Sequence, residues 1–296
     1  MTIKLLTLFP GQGSQSVGMG KELYEKYDIA KKLFKEADEV LGFSLSDICF
    51  NGPDTKLLES QITQPAILTV SIICFEIWKE EFKEDYEIVA GAGHSLGEYS
   101  ALVASNALTF QDGVNLVFKR GTFMKEVAEK TKGKMTAVIG KSEEEILTAI
   151  SKVNSGFVDI ANLNSPSQIV ISGETQAVDE VKSYLEGARL IDLAVSAPFH
   201  TKLMKEAGDK LKIELEKTTI KSPSFPVFAN YSASSISEPE KIKESLYYQS
   251  FSKVRFTESI NNIVMNFTPT NYKEFGNGNV LSGLIRKINK DIKPLQ

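Results

Sequence analysis

The chain has 296 residues, 42% hydrophobic and 24% charged, and a formal net charge of −4, enough for one large domain or one domain with a smaller insert. That acidity argues against a nucleic-acid binder, which wants a basic face. Two cysteines, Cys49 and Cys74, offer neither a disulfide framework nor metal spacing, and no secretory pattern or membrane-span length is evident, so a soluble cytoplasmic protein without bound metal is expected.

Leu5 to Phe9 reads as a buried strand, followed by a glycine-rich turn, Pro10-Gly11-Gln12-Gly13-Ser14-Gln15, and a helix from about Lys21. The turn is no phosphate loop, because no Gly-Lys-Ser/Thr completes it. Ala30 to Leu41 is amphipathic, and Ile62-Thr63-Gln64-Pro65 opens an apolar helix reaching Trp78, with the proline expected in the first turn, where its missing N–H costs little. Ile88-Val89-Ala90 leads into Gly93-His94-Ser95-Leu96-Gly97, and a helix-forming stretch follows from Glu98 to Ala104. A further helix spans about Phe110 to Glu129.

From Lys134 the texture changes. Strand Met135–Ile139, helix Ser142–Val153 with a Ser142/Glu145 capping box, strands Val158–Asn162 and Gln168–Ser172, helix Thr175–Leu185 and strand Ala188–Val195 make a β-α-β-β-α-β unit of ferredoxin type. The expected organisation is an α/β domain formed by residues 1–133 and 198–296, with 134–197 inserted as the smaller unit. Beyond the insert come a helix from Thr201 to Lys217, the segment Val227-Phe228-Ala229-Asn230, and helices near Pro239–Gln249 and Thr257–Met265. Strand Tyr272–Phe275, a glycine turn and the closing helix Val280–Lys290 finish the chain.

Strand, tight glycine turn bearing a serine, then helix is the geometry of a nucleophile elbow, with the helix N–H groups aimed where an oxyanion would form. Ser95 is the candidate nucleophile. A serine needs a base, and the chain has two histidines. The side chain of His94 should diverge from its neighbour's, which suits a packed, hydrogen-bonded residue beneath the elbow. His200, where the chain leaves the insert, is the base by elimination, and a cleft between the two units would bring it to Ser95. Asp159, Asp179 and Asp192 precede it, but their spacing selects none as a third member. Only four of the 34 basic residues are arginines: Arg120, Arg189, Arg255 and Arg286. In such a chain an arginine can mark a need for a planar, two-pronged donor.

Six motifs occur together: Phe9-Pro10-Gly11-Gln12-Gly13-Ser14-Gln15, Thr63-Gln64-Pro65-Ala66, Gly93-His94-Ser95-Leu96-Gly97-Glu98, Lys119-Arg120-Gly121, Ala161-Asn162-Leu163-Asn164-Ser165-Pro166 and Ala197-Pro198-Phe199-His200. In this order the chain closely resembles the malonyl-CoA:acyl carrier protein transacylases and polyketide synthase acyltransferases, from about residue 5 to about residue 290. The resemblance implies an α/β-hydrolase-like large subdomain with a ferredoxin-like small one. It implies acyl transfer through Ser95 and His200, an oxyanion hole of the Gln12 and Leu96 N–H groups, and a malonyl carboxylate held by Arg120. Gln64 and Asn162 fall near the family's pocket, with packing as their alternative role.

A backbone carbonyl at or near Arg255 would orient His200, although Lys253-Val254 stands where the family usually has Pro-Val. Gly276-Asn277-Gly278 likewise departs from the usual Gly-Pro-Gly. Phe199 occupies a position where phenylalanine is common in malonyl-selective polyketide enzymes and leaves little room for an α-methyl branch, which leans the reading towards a free-standing polyketide acyltransferase with the fatty-acid enzyme as the other case. The implied partners are malonyl-CoA and the phosphopantetheine thiol of an acyl carrier protein, with no bound cofactor and a monomer as the default. The competing readings are a thioesterase using the same pair and a catalytically silent carrier-binding module.

Overall fold

The computed structural model describes residues 2–195 and 197–295, whose strands form two sheets. In chain order the strands are β1 (Ile3–Phe9), β2 (Tyr86–Gly93), β3 (Gly133–Ile139), β4 (Val158–Ser165), β5 (Gln168–Glu174), β6 (Arg189–Asp192), β7 (Val227–Phe228), β8 (Ser235–Ile236), β9 (Asn271–Glu274) and β10 (Lys293–Pro294).

The larger sheet runs β10-β9-β1-β2-β7-β8, parallel throughout except at β7–β8. Helices cover both faces, so its central strands read as continuous apolar runs: Leu5, Leu6, Leu8 and Phe9 on β1 are fully buried. Because β1 and β2 are parallel neighbours, the turn after Phe9 and the elbow after Gly93 leave the same edge side by side. This C-terminal edge is where open α/β sheets hold their ligands.

The smaller sheet has the order β4-β5-β3-β6, all antiparallel, with helices Glu143–Ile150 and Thr175–Ser183 packed on it. This is the split β-α-β-β-α-β topology, and the fold class expected from the sequence is the one observed. The Ser142/Glu145 capping box is formed. Val138, Ile146, Ile160, Ile171, Val178 and Val181 close the core of this unit. Strand β4 runs to Ser165 rather than stopping at Asn162, so the hairpin to β5 is only Pro166-Ser167. A parallel bridge at Asn162–Val254, with Leu163 N–H on the Val254 carbonyl and Val254 N–H on the Ala161 carbonyl, ties β4 to the large unit.

Two expectations need correcting. The apolar helix runs Ser60–Glu81, starting two residues before Ile62, and Pro65 lies inside it. There the proline removes the bond its N–H would make to the Gln61 carbonyl, a cost that core packing of the helix offsets. By length and composition that helix could cross a membrane, contrary to the sequence reading, but 78% of its apolar window is buried inside the protein. It is a core helix, apolar on all sides because neighbours surround it.

Candidate active site

Ser95 sits between β2 and the elbow helix Gly97–Ala104 with φ 51°, a left-handed backbone that costs a serine energy. Both of its peptide groups are held by distant side chains. Its N–H donates to Asn230 Oδ1 at 2.7 Å and its carbonyl accepts from Gln249 Nε2 at 2.8 Å. A glycine is required at 97, since a Cβ there would lie 1.9 Å from the Phe9 carbonyl oxygen. The elbow helix can therefore cross the end of β1 at backbone contact distance.

The Ser95 Oγ lies 2.7 Å from His200 Nε2. His200 Nδ1 is 3.1 Å from both the Gln249 and the Ser252 carbonyl oxygens. Carbonyls only accept, so Nδ1 carries the proton and Nε2 presents a lone pair to the serine hydroxyl. Arg255 does not supply this carbonyl, which corrects the sequence expectation. Its carbonyl takes the Ser259 N–H and hydroxyl as its helix Phe256–Phe267 begins, and its guanidinium pairs with Glu258. The turn after helix Pro239–Gln249 reaches His200 instead. None of the three aspartates serves as a third member: Asp179 and Asp192 bind Lys134 and Lys182, and Asp159 accepts from the Ile160 N–H.

Burial pushes the His200 pKa down to about 3, helped by the Arg120 and His94 charges, while the two carbonyl contacts pull it up. The imidazole is thus neutral, the form that can accept a proton. With only two histidines in the chain, this is readable by NMR of the ring signals. The His200 ring should show no protonation between pH 7 and about 5. A titration centred near 6.5 would contradict that environment.

Arg120 projects from the middle of helix Phe110–Lys130, and its residue is 2% exposed. The next residue, Gly121, lets this helix close on the start of Ser60–Glu81, since a Cβ there would lie 2.5 Å from the Ser60 carbonyl oxygen. Nη1 donates to Gln64 Oε1 at 2.8 Å, and Nη2 donates to Ser95 Oγ at 3.0 Å and Gln249 Oε1 at 3.1 Å. Every one of these partners is neutral, and Nε has no partner among the described residues. A desolvated cation so placed favours an incoming anion.

Ser95, His200 and Arg120 line a cavity of about 260 Å³ with walls that include Met124, Met135, Val170, Leu193, Val195 and Phe199. Gln12 and Leu96 line it too, and among the described residues neither N–H donates to any protein group. Leu96 follows the serine directly in the chain, and Gln12 lines the same cavity as the serine. Asn162 is also on the wall, whereas Gln64 stands one layer back, against Arg120 and the Met124 sulfur. His94 Nε2 contacts Asn164 Oδ1 at 2.7 Å and its ring lies against Phe256, away from the serine hydroxyl. Sequence reasoning did not single out Asn230, Gln249, Ser252 or Glu98. Only Glu98 carried a signal, as the last residue of the elbow motif.

The acyl transferase domain family matches residues 7–273. A malonyl CoA-acyl carrier protein transacylase of Bacillus subtilis is 46% identical over 99% of this chain and 92% of its own length. The chain belongs to the malonyl CoA-acyl carrier protein transacylase family. Among solved structures, the transacylase of Coxiella burnetii superposes with a TM-score of 0.95 at 37% identity, covering 100% of this chain and 94% of that one. A malonyl-transacylase captured in complex with a type II polyketide acyl carrier protein superposes with a TM-score of 0.94 at 36% identity, over 98% and 94% of the two chains. Transacylase membership agrees with a serine–histidine pair beside a buried guanidinium.

Proposed function

We propose that the chain moves a malonyl group from malonyl-CoA to the phosphopantetheine thiol of an acyl carrier protein of fatty-acid or polyketide synthesis, through an acyl-serine intermediate. The observation that carries this reading is one oxygen, Ser95 Oγ, held by both the His200 imidazole at 2.7 Å and the Arg120 guanidinium at 3.0 Å. A general esterase has no use for the second contact. A reaction on an acyl group ending in a carboxylate does.

As malonyl-CoA binds, its carboxylate takes the Arg120 fork in a two-pronged, charge-assisted pair. The Ser95 oxygen attacks the thioester carbonyl while its proton passes to His200 Nε2, and the carbonyl oxygen, now negative, is met by the Gln12 and Leu96 N–H groups. Loss of one such donor typically costs about 2.7–4 kcal/mol. The C–S bond breaks and the imidazolium returns the proton to the departing coenzyme A thiolate. The carrier's thiol then runs the same steps in reverse, giving its proton to His200 and taking the malonyl group. The apolar walls exclude water from the acyl-serine, and Phe199 narrows the space beside the malonyl α-carbon.

Competing malonyl-, methylmalonyl- and acetyl-CoA for transfer to a phosphopantetheinylated carrier tests the reading. Malonyl should lead, with methylmalonyl behind by about 10- to 200-fold, the value of one methyl group. Rapid release of free malonate without a carrier would instead mark a hydrolase.

A further inference from the structure

Glu98 is fully buried on the first turn of the elbow helix, three residues after the nucleophile, and the steps above make no use of it. One of its carboxylate oxygens, Oε2, accepts the Asn230 backbone N–H at 2.9 Å and Gln249 Nε2 at 2.9 Å. These are the two residues that grip Ser95. Asn230 Oδ1 takes the Ser95 N–H while its Nδ2 donates to the Gly93 carbonyl at 2.7 Å. Gln249 Nε2 donates to the Ser95 carbonyl as well, and its Oε1 receives Arg120 Nη2.

We infer that Glu98 is the positioning residue of the site: through one oxygen it sets the two residues that hold the left-handed Ser95 backbone and, through Gln249, the guanidinium that meets the substrate. This rests on the acyl-serine reading above.

The reason lies in the ambiguity of an amide. A glutamine side chain turned end for end has nearly the same shape, with donor and acceptor exchanged. Turned that way, Gln249 would aim its oxygen at the Ser95 carbonyl and its NH₂ at the Arg120 guanidinium, acceptor on acceptor and donor on donor. An ionised carboxylate offers only lone pairs, so Glu98 Oε2 demands the NH₂ and forbids the turned state. Because Asn230 follows β7 and Gln249 ends the separate helix Pro239–Gln249, a shared acceptor also fixes their distance from each other across the elbow. The ionised carboxylate is further placed at the positive end of the elbow helix. Its other oxygen, Oε1, is buried with no partner among the described residues.

Burial pushes the Glu98 carboxyl up to about 7, against the opposing pull of the Asn230 and Gln249 hydrogen bonds and of Arg120. Arg120 on helix Phe110–Lys130 and the adjacent Tyr99 phenol are the charged and titratable groups facing it. Protonation near neutrality falls on the unpartnered Oε1 and leaves Oε2 an uncharged, weaker acceptor for Gln249, so transfer should rise with pH through that range.

Two substitutions separate position from charge. Glu98→Gln keeps an acceptor oxygen at the same reach without charge, whereas Glu98→Asp keeps the charge but is one methylene too short for both donors. Initial rates of carrier loading from malonyl-CoA, unfolding temperatures and pH profiles are compared for both, with labelling of Ser95 by malonyl-CoA followed in the wild type. Glu98→Gln is expected within about tenfold of wild-type kcat/KM and without the inflection near pH 7. Glu98→Asp should lose about 100-fold, the scale of an approximately 1 Å misplacement of a catalytic group, while remaining folded. The inference is overturned if Glu98→Asp works as well as wild type, if Glu98→Gln is as damaged as Glu98→Asp, or if the inflection near pH 7 survives in Glu98→Gln. If wild-type label appears on a residue other than Ser95, the acyl-serine reading falls first and takes this inference with it.

Discussion

Replacing Ser95 with alanine should abolish both malonyl labelling of the protein and carrier loading, with a loss of about 10⁴- to 10⁶-fold in kcat. No other hydroxyl meets a histidine nitrogen within hydrogen-bond distance among the described residues, so no second nucleophile stands ready. Binding should change little, because the carboxylate clamp and the apolar walls remain. Equilibrium binding of malonyl-CoA to Ser95→Ala, set beside its rate, shows whether the loss belongs to the chemical step. His200→Ala should cost a similar factor, and the double variant little more than either alone, since an alcohol without its base and a base without its alcohol are equally idle. Radiolabel retained on Ser95→Ala at the wild-type level would remove the acyl-serine mechanism.

Arg120→Ala should depress malonyl transfer by about 30-fold to several thousand-fold, corresponding to the 2–5 kcal/mol lost when one partner of a buried charged pair is removed. Acetyl transfer should fall far less, because an acetyl group has no carboxylate to present. The ratio of the two is the informative quantity. Removing Arg120 also leaves Gln64 Oε1 and Gln249 Oε1 without a donor, which harms both substrates alike and cancels in the ratio. Arg120→Lys should recover only part of the malonyl preference, since an ammonium is a point charge and cannot supply two parallel N–H bonds. Equal losses for malonyl and acetyl would remove the clamp role.

Much of the architecture was legible in the residues. Strands β1, β2, β3 and β5, the capped helix after Ser142 and the helix Pro239–Gln249 follow from apolar runs, turn residues and caps within a single segment. The elbow was legible for the same reason: Gly93, Ser95 and Gly97 fall within five consecutive residues, and a Cβ at Gly93 would lie 1.9 Å from the Gly97 carbonyl carbon, inside the same turn. The pairing of Ser95 with His200 came from scarcity, because one histidine remained once His94 was set beneath the elbow. The limits of helix Ser60–Glu81 and of the β4–β5 hairpin were missed where packing overrode local signals: Pro65 is tolerated inside a helix surrounded by core, and β4 is prolonged while β5 offers it partners.

The sequence by itself determined the kinds of element, the strained turn and the reactive side chains it carries, since each depends on residues within one segment. The tertiary structure alone decided which carbonyls hold His200, that Gln64 backs Arg120, and that Asn230, Gln249 and Glu98 converge on Ser95. Those contacts join segments 49 to 154 positions apart. A side chain's period records which face of its own helix or strand is buried, but not which foreign backbone atom arrives against that face. Arg255 shows the consequence: a displacement of three residues, from Ser252 to the start of the next helix, turns its carbonyl from a neighbour of the imidazole into the first acceptor of a helix.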